Sequence, residues 1–347
     1  MSFLNGATVG FDIKNNKAVF VDQTLLPNEY REVSTDSFTQ MYDAVKTLKV
    51  RGAPAIGAFA AISLAVLMNK SAAETYEELI NELSEFSREL CKCRPTAVNL
   101  KWAVDKMLAA AQNSSAQNFK QDLTDCAMQI MENDIAVCRK IGEYGAEILS
   151  DSRNFLTHCN AGRLAAVRYG TALAPVYVMH GQGKNVRVYC DETRPLLQGA
   201  RLTAYELTSA GIDTTVICDS MASYVMKKGL VDAVLVGCDR VAFNGDAANK
   251  IGTSGVAILA KYYGIPFYVC MPFSTFDPNI PNGDRITVEE RDGSEISEMW
   301  YKKPMIPHGA KTLNPSFDVT DNSLITAFIT EKGIFKPNEL KYFCQIK

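Results

Sequence analysis

The segment THCNAG (157–162) sets a cysteine between a histidine and an asparagine, where the apolar run NFL gives way to a small-residue turn. A thiol that ends an apolar run suits two roles: a small buried hydrophobe, or a reactive group presented to a ligand. If the turn opens a helix, Cys159 lies at its N-terminus, where the dipole lowers a thiol's pKa. His158 is adjacent, but neighbours on an extended strand face opposite ways, so it is a poor base for Cys159. A nucleophile-elbow glycine pattern is also missing, which argues against acyl transfer.

Three further segments carry chemistry-bearing residues. VGCDRVAFNGDAANKIGT (236–253) puts Asp239 at a strand end, followed by a glycine-bearing turn and by Asn249 and Lys250 at an expected helix start. This supplies a carboxyl for proton transfer, and an amide and an ammonium for ligand oxygens; the plainer reading is a cap at Asp239 paired with Arg240. VRGAPAIG (50–57) joins Arg51, a glycine that lets the backbone approach a ligand, and a proline suited to a first helical turn. Free N–H groups and the dipole there favour a phosphate, with Arg51 able to fork onto two oxygens; a tight turn before a packed helix is the alternative. In CDETRPLLQGARLTAYEL (190–207), Asp191, Glu192, Arg194 and Arg201 flank a helix start, which a surface capping network accounts for, while Gln198, just inside that helix, could reach a sugar hydroxyl.

The elements that must position these residues follow from periodicity. Residues 8–33 alternate around the turn KNNK and predict a small antiparallel element. Helical spacing begins with Phe38, Met41, Val45 and Leu48 after an N-cap at Ser37, and continues from Pro54 and through 73–92, 96–112 and 118–149. After about residue 150, NFLTHC, VRVYCDE, TTVICDS, AVLVGCD and PFYVCMP alternate with helix-length segments at 163–181, 196–210, 220–229 and 249–263. That rhythm predicts βαβ units and a parallel sheet covered on both faces, with Gly211, Gly229 and Gly264 ending helices. The expected class is α/β: a small, mainly helical N-terminal domain with a short antiparallel β element (1–120), a connecting helix (121–150), and a Rossmann-like catalytic domain (151–347). In an open parallel sheet, ligands bind beyond the carboxyl ends of the strands. Cys159, Asp191, Cys218, Asp219 and Asp239 all fall there.

The bulk properties exclude several classes. The 347 residues are 47% hydrophobic with a net charge of −3, which gives no footprint for a nucleic acid. The apolar stretch 55–68 is short for a bilayer and reads as a buried helix, so no membrane partner is expected. The N-terminus lacks a basic region followed by an apolar core, and the ten cysteines show no framework spacing, which together suit a cytoplasmic protein with reduced thiols. With three histidines and no GxGxxG or GxxxxGK, neither a metal site nor a nucleotide loop is expected. What remains is chemistry without a cofactor on a small phosphorylated compound.

RGAPAIG, THCNAG, DETRPLLQGARLTAYEL, GCDRVAFNGDAANKIGT and NPSFDVT, in this order, resemble the methylthioribose-1-phosphate isomerases, with the likeness running from about residue 40 to 335. That fold is shared with ribose-1,5-bisphosphate isomerases and with regulatory subunits of the translation-initiation exchange factor. The resemblance implies a catalytic pair, Cys159 and Asp239, and substrate contacts at Arg51, Gly52, Ala53, Arg94, Gln198, Asn249 and Lys250. It also implies a homodimer, a phosphorylated pentose substrate, and no metal or organic cofactor. Arg163 and Cys238 depart from the usual pattern, which leaves the group at C5 open: methylthio, methyl (5-deoxyribose 1-phosphate) or phosphate (ribose 1,5-bisphosphate). A non-catalytic subunit binding a sugar phosphate or nucleotide, and an interaction scaffold, are the readings from other classes.

Overall fold

The structure, a computed structural model, describes residues 2–95 and 97–345, with side chains through Tyr342; Thr96 and the Cys344 thiol lie outside the described residues. The chain divides into two compact units: residues 1–138 with 162–170, and 139–161 with 171–347. The division thus falls inside one long helix rather than at 120 or 150, and a short return of the chain follows the cysteine turn.

The first unit opens with β1 (Val9–Asp12), β2 (Lys17–Val21) and β3 (Glu32–Thr35), an antiparallel meander with Val9 opposite Phe20. Five helices follow: α1 (Phe38–Lys46), α2 (Ala53–Lys70), α3 (Tyr76–Cys91), α4 (Val98–Gln112) and α5 (Phe119–Ile148), the last crossing into the second unit. α2 is apolar on all sides, and every residue from Ala55 to Met68 is buried. It is long and apolar enough to cross a membrane by length and composition, but 78% of it is enclosed by the protein, as in a core helix. Its small residues let neighbours close in: a Cβ on Gly57 would lie 3.1 Å from the Asn99 carbonyl on α4. α3 is started by a capping box in which the Thr75 hydroxyl accepts from the Glu78 N–H and the Glu78 carboxylate accepts from the Thr75 N–H.

One ionisable group ties the 162–170 return to α5. Asp134 accepts the Val167 N–H at 2.7 Å, and burial pushes its carboxyl up to about 6, opposed by the hydrogen bonds from Val167 and Cys138. The folded chain then keeps a proton that the unfolded chain releases at about 3.8, so stability falls as pH rises from 4 towards 6 and levels off above. Asp134→Asn should remove that fall and be more stable than the parent at pH 7.5 by about 1–2 kcal/mol, allowing for partial exposure. Urea unfolding at pH 4.5 and 7.5 checks it; a parent with equal stability at both pH values and no gain in the variant contradicts it.

The second unit is built on β4 (Asn154–Thr157), α6 (Ala174–Gly181), β5 (Arg187–Asp191), α7 (Ala204–Ser209), β6 (Asp213–Ile217), α8 (Ala222–Lys227) and β7 (Ala233–Val236). It continues with β8 (Arg240–Ala242), β9 (Ala247–Lys250), α9 (Thr253–Tyr263), β10 (Phe267–Cys270), β11 (Phe276–Asp277), α10 (Ser294–Ser297), β12 (Phe317–Thr320), β13 (Ala327–Thr330) and β14 (Gly333–Phe335). The main sheet runs β14-β13-β10-β7-β4-β5-β6, parallel except for β14. From β4 the chain winds outward through β5 and β6, then returns to β7 on the other side and winds away through β10 and β13. The order therefore reverses between β4 and β7, as in doubly wound folds. The runs AVLV and FYVC are buried throughout, as strands covered on both faces must be. Gly211, Gly229 and Gly264 take φ of +76°, +66° and +71° just after α7, α8 and α9, which fits left-handed stops. A second sheet, β11-β8-β9-β12, hangs on the loop after β7.

Two expected helices differ. Between 163 and 181 only a three-residue 3₁₀ turn (Arg163–Ala165) precedes α6 at Ala174. Left-handed backbone at Tyr169 and Gly170, and a bridge between Gly162 and Gly170, hold the segment as a loop. Residues 249 and 250 do not start a helix: they end β9, antiparallel to β12, and α9 begins at Thr253.

Candidate active site

Cys159 lies two residues past β4 and Asp239 three past β7, the adjacent parallel strands at which the sheet order reverses. Side groups leaving the carboxyl ends of these strands enter the crevice where open α/β sheets bind ligands. The two loops are in close contact: a Cβ on Gly237 would sit 2.5 Å from the Ala161 Cβ, so only glycine permits this approach.

Cys159 is buried and takes φ +67°, a left-handed conformation uncommon for residues with a Cβ. Its backbone is held from both sides. The Cys159 N–H donates to Thr193 Oγ1 (2.8 Å), and the Thr203 hydroxyl donates to the Cys159 carbonyl (2.7 Å). Thr193 Oγ1 donates in turn to the Asp191 carbonyl (3.0 Å), and the Thr193 N–H is fixed by Asp219 (2.7 Å). The next side chain, Asn160, donates to Thr203 Oγ1 (3.1 Å) and to buried Glu206 (2.5 Å), which also accepts from Tyr177. The expected helix dipole at Cys159 is not there, since the following 3₁₀ turn is too short to carry one; the thiol is presented by a clamped turn instead.

Asp239 is exposed at its strand end. Its N–H donates to the Ala248 carbonyl (2.9 Å), which fixes the loop against β9. The Arg240 guanidinium is occupied by Asp277 Oδ2 at 2.6 Å. Cys238 turns its thiol to the Arg240 and Ala248 carbonyls, and burial pushes that thiol far above its ordinary range.

Asn249 is buried with its amide on Thr253 Oγ1 (3.1 Å), and the Lys250 ammonium lies 4.9 Å over the Phe317 ring. NPSFDVT contributes Asp318, whose carboxylate accepts from the Gly252 and Ser254 N–H groups and so caps α9. Gln198 precedes a π-helical turn (Gly199–Thr203) leading into α7; it is buried, and its Oε1 has no partner. An orphaned buried acceptor costs about 1–3 kcal/mol, which a ligand hydroxyl would recover. Gln198→Ala should therefore raise KM about 10-fold while leaving Tm unchanged or higher; a lower Tm with unchanged KM contradicts this.

Arg51, Gly52, Ala53 and Arg94 lie in the first unit, all half-buried. Gly52 has φ +87° and caps α2, with Pro54 in the first turn. A Cβ there would fall 2.3 Å from the Ala165 Cα, so this glycine serves a close backbone approach within the unit.

Sequence reasoning set His158 aside, and it is among the most connected groups here. Only 1% exposed, it faces Asp191 Oδ2 with Nδ1 (3.0 Å) and donates from Nε2 to the Ile251 carbonyl (2.8 Å). Burial works to lower its pKa, but the bond and charge of Asp191, then Asp219 and the Ile251 carbonyl, hold it above the ordinary value. Burial pushes Asp191 up to about 6, opposed by His158. His158, Asp191 and Asp219 bring ligand-type atoms within 4.8 Å of one another. The Nδ1···Oδ2 contact is a hydrogen-bond distance, so a cation would have to displace the shared proton.

The profile described as "Initiation factor 2 subunit family" matches residues 49–337. A methylthioribose-1-phosphate isomerase of Symbiobacterium thermophilum is 53% identical over 95% of this chain and 92% of its own. A 5-deoxyribose 1-phosphate isomerase of Petrotoga mobilis is 51% identical over 92% of each chain. Among solved structures, a 5-methylthioribose 1-phosphate isomerase of Pyrococcus horikoshii superposes with a TM-score of 0.93 at 38% identity, covering 98% of this chain and 96% of that one. A structure described as translation initiation factor eIF-2B, subunit delta, from A. fulgidus gives 0.88 at 40% identity, covering 96% of both chains.

Proposed function

The chain belongs to the initiation factor 2 subunit family, and on that footing we propose that it is an aldose–ketose isomerase converting 5-methylthioribose 1-phosphate to 5-methylthioribulose 1-phosphate, a step of methionine salvage. The observation that carries this reading is the placement of Cys159 and Asp239 at the carboxyl ends of β4 and β7, flanking the switch point of the sheet.

A sugar phosphorylated at C1 cannot open spontaneously to an aldehyde, so the enzyme must break the C1–ring-oxygen bond. In the proposal Asp239 gives its proton to the ring oxygen as that bond's electron pair moves onto it. Cys159, as thiolate, takes the C2 proton, leaving a C1–C2 enol; the proton returns from the thiol to C1 as C2 becomes a ketone, and the C2 hydroxyl proton passes back to the Asp239 carboxylate. Each step is a proton transfer and needs neither metal nor redox cofactor. The alternative is a hydride shift from C2 to C1, with Cys159 shaping the site and Asp239 recovering the C2 hydroxyl proton. Gln198, Asn249 and Lys250 are proposed to hold sugar and phosphate oxygens, as are Arg51, Gly52, Ala53 and Arg94. An exposed Asp239 suits an acid that bound sugar covers, since water is excluded only then. A homodimer and a cytoplasmic location complete the proposal.

The test is the specificity constant of the purified protein for 5-methylthioribose 1-phosphate against 5-deoxyribose 1-phosphate. A preference for the thioether sugar supports the reading. Equal or faster turnover of the deoxy sugar moves the assignment to the second activity borne by these relatives. No turnover, with tight sugar-phosphate binding, supports a non-catalytic regulatory subunit; the A. fulgidus relative is named as a subunit of a translation initiation factor.

A further inference from the structure

We infer that His158 is a positioning residue whose ring ties the Cys159 turn to the strand end carrying Asn249 and Lys250, with its Nε2–H bond to the Ile251 carbonyl as the working link. The inference rests on the isomerase reading of Cys159.

The ring bridges segments far apart in sequence. Nδ1 meets Asp191 at the end of β5, the strand next to β4, and Nε2 meets Ile251, one residue past Lys250. A carbonyl oxygen only accepts, so Nε2 carries a hydrogen. Asp191 is fully buried and its Oδ1 has no partner, so His158 is the group that keeps that carboxylate compensated. The space for the ring is made by glycine: a Cβ on Gly252, at φ +103°, would lie 2.8 Å from His158 Cε1. The neighbouring residue takes left-handed backbone, a conformation that persists only where its surroundings over-determine it. Cys159 has Thr193 and Thr203 on its own amide and carbonyl, and His158 anchors the residue before it. The connection runs from the thiol's turn to the two residues proposed to hold substrate oxygens. Misplacement at that level costs rate and affinity without removing a reacting group.

Gln and Asn separate the two bonds of the ring, because Gln Nε2 approximates His Nε2 and Asn Nδ2 approximates His Nδ1. Three proteins are compared with the parent: His158→Asn, His158→Gln, and His158→Gln with Asp191→Asn, which removes the uncompensated carboxylate and guards against misfolding. Folding is read by circular dichroism and Tm, function by kcat and KM, and local opening by amide hydrogen exchange of peptides covering 157–161 and 247–252. The expected result is a folded His158→Asn protein with kcat/KM down about 10- to 100-fold, the size of one charged hydrogen bond, and faster exchange in both peptides. The Gln-containing double variant should recover most of both. Parental kinetics and exchange in His158→Asn overturn the inference, as does a folded double variant that loses as much as His158→Asn. If the parent itself turns over neither sugar, the isomerase reading fails, while exchange in the two peptides still decides whether His158 couples them.

Discussion

Cys159→Ser should lower kcat by about 10²- to 10⁴-fold, the range that a positioned acid or base contributes, while the protein unfolds at nearly the parental temperature. Stability should survive because the turn is held through backbone atoms. Thr193 and Thr203 bond the amide and carbonyl of residue 159, which serine leaves in place, and the side chain differs by one atom. Activity should not survive, because a serine hydroxyl is far less acidic than a thiol and cannot act as a ready base near neutral pH. Turnover in D2O separates the two mechanisms. If Cys159 carries the proton, solvent deuterium appears at C1 of the ketose, provided the thiol exchanges before return. Product without deuterium, together with a Cys159→Ser loss below 10-fold, makes the hydride route correct and Cys159 a shaping residue. A variant that unfolds readily yet keeps its specific activity would return Cys159 to the role of a core thiol.

Asp239→Asn is the second large effect, again about 10²- to 10⁴-fold in kcat. Asparagine keeps the shape and the backbone bond from residue 239 to Ala248, but has no proton to give the ring oxygen. The Arg240 guanidinium keeps its pair with Asp277 in this variant. KM should change little, because the interaction is made as the ring bond breaks. A rise in KM at constant kcat would instead make Asp239 a binding group.

The parts of this molecule that follow from local pattern were legible in the chain itself. Alternating apolar runs and helix-length segments announced the parallel sheet, glycines 211, 229 and 264 marked the stops, and polar groups just past apolar runs marked the strand ends. What escaped was decided by tertiary contact. NAGRLAAVRYG has helix-compatible composition, yet left-handed residues at 159, 169 and 170 keep it a loop. AANK is poor in β formers, and becomes a strand because β8 and β12 pair with it on either side. The exposure of Asp239 depends on where β8 and β9 turn, which no spacing in the sequence records. His158 was read only as a possible base for its neighbour. Its actual partners stand 33 and 93 residues away, so periodicity could not reveal them.

The most direct test of the isomerase assignment follows the C1 carbon itself. The purified protein is incubated with 5-methylthioribose 1-phosphate labelled with ¹³C at C1, and the carbon spectrum is recorded with time. The account predicts that the anomeric signal is replaced by that of a CH2 still esterified to phosphate, and that the replacement is lost in Cys159→Ser. An unchanged anomeric signal, or a C1 that appears as free sugar with released phosphate, would contradict it.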